Sequence, residues 1–256
     1  MKLKTKDKTM INIFRKKRKT LANDNKALKY TRYAIGEIVL VVIGILIALQ
    51  INTWNTNRIE RKKEALILKE LHKEFVANKQ QFDSVVFFHK RSFKAANYIK
   101  SKLPINVKET NLDSLSYHLF YMGWTYTFNP SQGVTKALMN SSTFGVVSND
   151  ELRQLLISWN DILVDYQEEE SNAASNYQNH LKPFEKKHFY FDPDYSKWLS
   201  DPRIDLAILE KLEFDNYILD RYNDISNIIN SSAGELDRVT ESINRIIELS
   251  KPKTND

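Results

Sequence analysis

Between Ala34 and Ile51 the chain reads AIGEIVLVVIGILIALQI, eighteen residues in which only Glu37 and Gln50 are strongly polar. As a helix rising ~1.5 Å per residue, this run would be about 27 Å long, close to the ~30 Å hydrocarbon thickness of a bilayer. Ile38–Leu49 leaves no polar face at all, unlike a helix on the edge of a soluble core, which keeps one flank for water. Tyr30 and Tyr33 stand at one end and Trp54 at the other, where an aromatic belt is expected. The run therefore reads as a transmembrane helix.

Its flanks set a direction. Residues 1–32 hold twelve Lys and Arg against Asp7 and Asp24, a net of +10; with +6 for the whole chain, the remainder carries −4. After the run, Arg58, Arg61, Lys62 and Lys63 are diluted by Glu60 and Glu64. The positive-inside bias then puts the N-terminus in the cytoplasm. A cleaved signal peptide would have a shorter apolar region and a small-residue cleavage site, whereas this run ends in ALQINTWN. The expectation is an uncleaved signal-anchor at residues 33–54, a basic cytoplasmic leader at 1–32 and a periplasmic domain at 55–256. Beside such an anchor, FRKKRK (Phe14–Lys19) reads as a topology determinant that attracts anionic headgroups. The bilayer is the expected partner, and nucleic acid is not.

Inside the anchor, Glu37 is an ionisable group in an apolar helix, a feature that points to function by default. Glu37, Gly44 and Ala48 are spaced by seven and four residues and so share one helix face. Small residues on that face favour close helix–helix contact, which makes these three the candidate membrane-helix contacts. A carboxylate reaching the cytoplasmic headgroups, five residues past Arg32, is an equal alternative, and a proton or ion path a third.

The segment YAIGEIVLVVIGILIALQINTWN (Tyr33–Asn55) resembles the anchor of an uncharacterised family of single-pass proteins abundant in Bacteroidota, a domain of unknown function. TKALMNSSTFGVVSNDELRQLL (Thr135–Leu156) resembles the middle of that family more loosely, with Thr143 in place of the usual glycine after the serines. The resemblance implies an inner-membrane protein with a periplasmic helical domain, and it implies no activity.

No glycine or proline occurs between Gly44 and Pro104, so the anchor helix is expected to run on into the periplasm. Leu66, Ile67, Leu71, Phe75, Phe82, Val85, Val86, Phe93 and Ile99 mark its stripe, and Pro104 ends it. A shorter helix is expected over Asn111–Tyr126 and a brief one over Val134–Asn140. Ser148-Asn149-Asp150-Glu151 reads as a capping box opening a helix through Leu152, Leu155, Leu156, Trp159, Ile162, Leu163 and Tyr166. That helix is expected to reach Leu181 and to be disturbed at Pro183. His188–Pro202 reads as an aromatic-rich loop. A last helix is expected over Asp205–Ser250, with Ile218, Tyr222, Ile225, Ile229, Ser232, Leu236, Val239, Ile243 and Ile246 in heptad rhythm and Gly234 inside it. The fold class is all-α: an N-terminal transmembrane helix continuing into an up-down bundle of long amphipathic helices. A coiled coil between protomers is the alternative use of the heptads.

Motifs for chemistry are missing. With no cysteine, disulfides, thiolate metal sites and cysteine nucleophiles are excluded. His72, His89, His118, His180 and His188 form no H-x-x-x-H pair. Asp192-Pro193-Asp194-Tyr195-Ser196 starts like a calcium loop but has Lys197 where glycine is needed and Arg203 where the bidentate glutamate is needed. The run Glu168-Glu169-Glu170 reads as a solvated helix face. No Walker loop, dinucleotide fingerprint or nucleophile elbow is present. No cofactor and no catalytic residue is therefore expected. The aromatics Trp124, Tyr126, Phe128, Phe189, Tyr190, Phe191, Tyr195 and Trp198 read first as core and loop packing; Phe189, Tyr190, Tyr195 and Trp198 are the candidate recognition surface if they are exposed. The leading expectation is a membrane-anchored interaction or scaffold protein working as a homodimer or within an envelope complex. The alternatives are a ligand-sensing bundle and, further off, an enzyme whose site is assembled only in three dimensions.

Overall fold

A computed structural model describes residues 26–231 and 233–252. The FRKKRK cluster, most of the basic leader and Ser232 of the heptad series lie outside the described residues, as do the side chains of Tyr30 and Arg32. The described residues contain helices and no strand.

The chain divides into two compact units, Met1–Arg61 and Lys62–Asp256. In the first, the described residues all belong to α1 (Lys26–Lys100), a single 75-residue helix. Every side chain from Tyr33 to Arg61 is exposed. One 18-residue window here is long and apolar enough to cross a membrane, and the chain buries none of it.

The second unit is a bundle built on the rest of α1. Next come α2 (Leu112–Met122), a non-helical stretch, and α3 (Gly133–Met139). The long α4 (Asp150–Asn176) passes through a π-turn at Tyr177–Leu181 into α5 (Lys182–His188). Then come α6 (Leu212–Asn230) and α7 (Glu235–Ser250). Ring contacts give the directions. Phe75 meets Trp159 at 5.2 Å and Phe82 meets Tyr166 at 5.6 Å, so α1 and α4 run parallel. Phe93 stacks on Tyr222, and His72 Nδ1 reaches the Ile247 carbonyl at 3.0 Å, so α6 and α7 run back along α1. Residues 112–148 also descend along α1, with Ser114 bonded to Tyr98, Ser131 to Asn78 and Ser148 to Glu64. The topology is up, down, up, down, as the stripes predict. Apolar burial holds it together: Phe75, Trp159, Leu163 and Ile243 fill one end, and Ile99, Leu119, Phe214 and Ile218 the other. Each such side chain contributes roughly 1.5–3 kcal/mol.

Element boundaries depart from expectation for identifiable reasons. The Asn111–Tyr126 helix stops at Met122, and the chain is non-helical from Trp124 to Gln132. The helix at 150 is capped by Asn149, whose side chain accepts from Leu152 N. The expected capping box does not form, because Glu64 takes both the N–H and the hydroxyl of Ser148, and Glu151 forks onto Arg245 at 2.6 and 2.7 Å. Pro183 disturbs its helix, as expected, without ending it. It has no N–H to give and its ring crowds the preceding turn, and the wider π-turn just before it absorbs both defects. The Asp205–Ser250 helix is a 3₁₀ turn (Leu206–Glu210) followed by two helices. The break falls at Gly234, whose φ of +70° suits glycine. Leu66, placed in the α1 stripe by its spacing, is 65% exposed.

Candidate functional site

The buried face of α1 does not stay apolar. Leu71, Phe75, Phe82, Val85 and Ile99 alternate with Glu74, Asn78, His89 and Ser92, all buried at the same three- and four-residue spacing. On α4 the series Leu163, Tyr166 is continued by Glu170, and on α6 Arg221 sits between Ile218 and Ile225, again buried. Contrary to the reading of the acidic run as a solvated face, Glu170 is 1% exposed.

One structural need accounts for these residues. Between Met122 and Thr135 the chain is mostly non-helical, so its buried N–H and C=O groups lack the partners a helix would provide. The core-facing polar side chains supply them. Ser92 Oγ and Arg221 Nε donate to the Met122 carbonyl at 2.9 and 3.0 Å. Arg221 also donates to the Trp124 and Ala173 carbonyls, both at 2.8 Å. His89 Nε2 donates to the Tyr126 carbonyl at 3.0 Å. Phe128 N donates to Glu170 Oε2 at 2.8 Å, and Gln167 donates to the Phe128 carbonyl at 2.7 Å. The Asn78 amide pairs with both the N–H and the carbonyl of Ser131 at 2.8 Å. Glu74 accepts from Val134 N at 2.7 Å, and from Thr135 N at 3.1 Å and its hydroxyl at 2.7 Å. Segment 122–135 is thus clamped along its length by α1, α4 and α6.

Burial shifts the charges of the clamp. It pushes the Glu170 carboxyl up to about 7, against the pull of the Phe128 N–H. It holds the His89 imidazole below its ordinary range, so the ring is neutral near pH 7. With Nε2 donating to the Tyr126 carbonyl, Nδ1 is left to accept from the Tyr166 hydroxyl at 3.2 Å. Arg221 is brought down to about 10, chiefly by burial, and remains cationic. Its guanidinium also lies 5.0 Å over the Tyr177 ring, and the Tyr177 hydroxyl donates to Glu185 Oε2 at 2.9 Å. Glu185 is fully buried, and burial pushes it up to about 8.

Because the folded value of Glu185 lies above the ordinary 4.5, the native state binds the proton more tightly than the unfolded chain. Its contribution is complete below pH 4.5 and is lost as pH rises through about 8. Urea denaturation of the whole chain at pH 5 and pH 8 is expected to show this loss. Glu185→Gln keeps an acceptor for Tyr177 and is expected to flatten that part of the slope.

Tyr177 also explains Gly123. A Cβ at residue 123 would lie 2.5 Å from the Tyr177 hydroxyl and 2.9 Å from Cζ. Gly123→Ala is expected to cost ~1–3 kcal/mol by displacing the buried ring, read as a lower urea midpoint.

The same residues 123–126 border an open cleft of ≈460 Å³, whose other walls come from the π-turn and from the loop around Phe191–Trp198.

Residues 37–182 match a family described as "Family of unknown function (DUF6090)", a span of more than half the chain. The chain belongs to this family. No curated protein and no solved structure matches it. The DUF6090 span opens at Glu37 and closes at Lys182. It takes in the apolar run from Glu37 onward, all of segment 122–135 and the π-turn, and it leaves α6 with Arg221 outside.

Glu37, Gly44 and Ala48 lie on α1 with exposed side chains, and a Cβ at Gly44 would meet nothing within 4 Å. Phe189, Tyr190, Tyr195 and Trp198 do not make one exposed face. Phe189 and Trp198 are buried, the former edge-on to Phe184 and the latter stacked with Phe191. Tyr195 is half-buried, and Tyr190 alone of the four is exposed. Among the described residues no group of three or more His, Asp or Glu is gathered for a metal. Spacing arguments missed Glu74, Asn78, His89, Ser92, Glu185 and Arg221 altogether.

Proposed function

We propose that the chain is a membrane-anchored interaction module of a bacterial cell envelope. In this reading residues 1–32 are cytoplasmic, residues 33–54 cross the inner membrane once, and residues 55–256 form a periplasmic helical domain that engages envelope partners. The observation that carries it is the apolar stretch of α1, whose side chains are all exposed among the described residues. In water its exposed Ile, Leu and Val side chains would each forgo roughly 1.5–3 kcal/mol of burial, and a bilayer removes that deficit. The charge step, from +10 in the leader to −4 in the remainder, supports the direction.

A non-catalytic role fits the way the buried ionisable groups are used. His89, Glu74, Glu170 and Arg221 bond to the backbone of segment 122–135, which assigns them to holding the chain. The open face of Glu37, Gly44 and Ala48 supplies the contact within the membrane, to an envelope partner's helix. A second reading, a ligand-sensing bundle, is favoured by the cleft beside residues 123–126.

The test is crosslinking and affinity purification of the tagged chain from native membranes, alongside Glu37→Gln and a version with a foreign anchor in place of residues 33–54. A discrete envelope complex is expected with the native chain, to be lost when the anchor is exchanged. Recovery of the chain alone, as monomer or homodimer, would overturn the interaction reading.

A further inference from the structure

We propose that the cleft bordered by residues 120–126, 177–182 and 191–198 binds a neutral saccharide. Its size of ≈460 Å³ falls within the ~300–1,000 Å³ range of small-molecule sites. Phe120, Trp124, Tyr126, Phe191 and Trp198 give it an aromatic lining. Aromatic faces carry the negative lobe of the ring quadrupole, and the C–H face of a pyranose offers the weakly positive surface that fits it.

The rest of the lining is polar and can both donate and accept. Among the described residues, the Thr125 hydroxyl and the Gln178 Nε2 amide have no hydrogen-bond partner, and Lys182 Nζ uses one of its donors, on Gln178 Oε1 at 2.9 Å. Asp192 spends Oδ1 on Asp194 N at 2.8 Å and faces Lys197 Nζ with the same oxygen at 3.6 Å, which leaves Oδ2 as an acceptor. Sugar hydroxyls need donors and acceptors together. A phosphate or carboxylate would meet Asp192 and a bare cation would meet Lys182, so the pair disfavours charged ligands of either sign. A purely aromatic peptide side chain would leave this polar rim unpaired.

The walls are already fixed. Phe88 stacks on Tyr126 at 4.2 Å and meets Trp124 at 5.4 Å, and Arg91 lies 5.2 Å over the Trp124 ring. Trp198 stacks on Phe191 at 4.7 Å and donates its indole N–H to the Asp192 carbonyl at 2.6 Å. The backbone bearing Trp124 and Tyr126 is held by Arg221 and His89. Little ordering remains to oppose a ligand. This inference does not depend on the direction of the chain in the membrane or on a protein partner.

The experiment is isothermal titration of the full chain in detergent micelles with maltotriose, cellotriose and the β-1,4 trimer of N-acetylglucosamine. The α-1,4 trimer of galacturonate serves as an anionic control and Gly-Trp-Gly as a peptide control. Saturable one-to-one binding of at least one neutral trisaccharide is expected. Phe191→Ala and Gln178→Ala are each expected to weaken it about tenfold, or ~1.4 kcal/mol, with an unchanged far-UV spectrum. Both residues lie on the surface, so these variants retain the bundle. No saturable binding of any neutral trisaccharide at millimolar concentration would overturn the proposal. So would binding of the galacturonate trimer or the peptide alone, or trisaccharide binding indifferent to both substitutions.

Discussion

Arg221→Met is expected to lower the unfolding free energy by about 3–5 kcal/mol, the range found when one partner of a buried charged network is removed. Methionine fills much of the same space, so little of the loss is cavity. It comes from the groups left behind. The Trp124 carbonyl loses its Arg221 donor, and the Met122 and Ala173 carbonyls each lose one of theirs. Glu185 also loses the nearby cation that draws its carboxyl down. Arg221→Lys keeps the charge but cannot fan donors to three carbonyls from one nitrogen, and is expected to recover less than half. Urea denaturation followed by far-UV circular dichroism checks both. A loss under ~1 kcal/mol for Arg221→Met, no more than one ordinary hydrogen bond, would mean that segment 122–135 is held by something else.

The second large effect is expected at the middle of the apolar run. Ile43→Arg puts a cation where α1 has no polar neighbour within reach of a snorkelling side chain, at a cost of ~2.5–3.5 kcal/mol for insertion at a helix centre. That corresponds to more than about fiftyfold in partition. The bundle begins at Lys62, so its folding is expected to be unaffected. Carbonate extraction of membranes should move Ile43→Arg from the pellet to the supernatant, while Ile43→Leu stays in the pellet. Equal retention of both would show that the run is not inserted.

These two sites differ in how far the sequence reveals them. The apolar run needs no third dimension: eighteen residues with two polar groups define it, and the family match begins inside it at Glu37. The bundle stripes are nearly as plain, since Leu71, Phe75, Phe82, Leu152, Leu156, Trp159, Ile218 and Ile225 are buried where three- and four-residue spacing puts them. Periodicity counts apolar residues only, however, so His89 between Val85 and Ser92, or Arg221 between Ile218 and Ile225, reads as a gap in the stripe. The gap was itself a signal. A charged residue at a core position must have a buried partner, here the backbone of 122–135. That stretch carries the turn-forming run Asn129-Pro130-Ser131-Gln132-Gly133, but Asn111–Tyr126 looks helical throughout. Only the early stop at Met122 leaves carbonyls for Ser92, His89 and Arg221 to serve. Likewise Ser148 and Glu151 form a local capping pattern that long-range partners, Glu64 and Arg245, take over. The aromatic loop divides between cover and exposure for a related reason. Trp198 and Phe189 find cover from α2 and α5, which sequence spacing does not bring together.

The most direct test of the anchored, outward-facing domain uses the chain's lack of cysteine. Single cysteines at Thr20 in the leader and at exposed Ser171 in α4 are labelled with a membrane-impermeant maleimide in cells whose outer membrane alone has been opened. The expected result is rapid labelling of Ser171→Cys, with Thr20→Cys labelled only after the inner membrane is disrupted. Labelling of Thr20→Cys with protection of Ser171→Cys, or protection of both with the chain recovered in the soluble fraction, would contradict it.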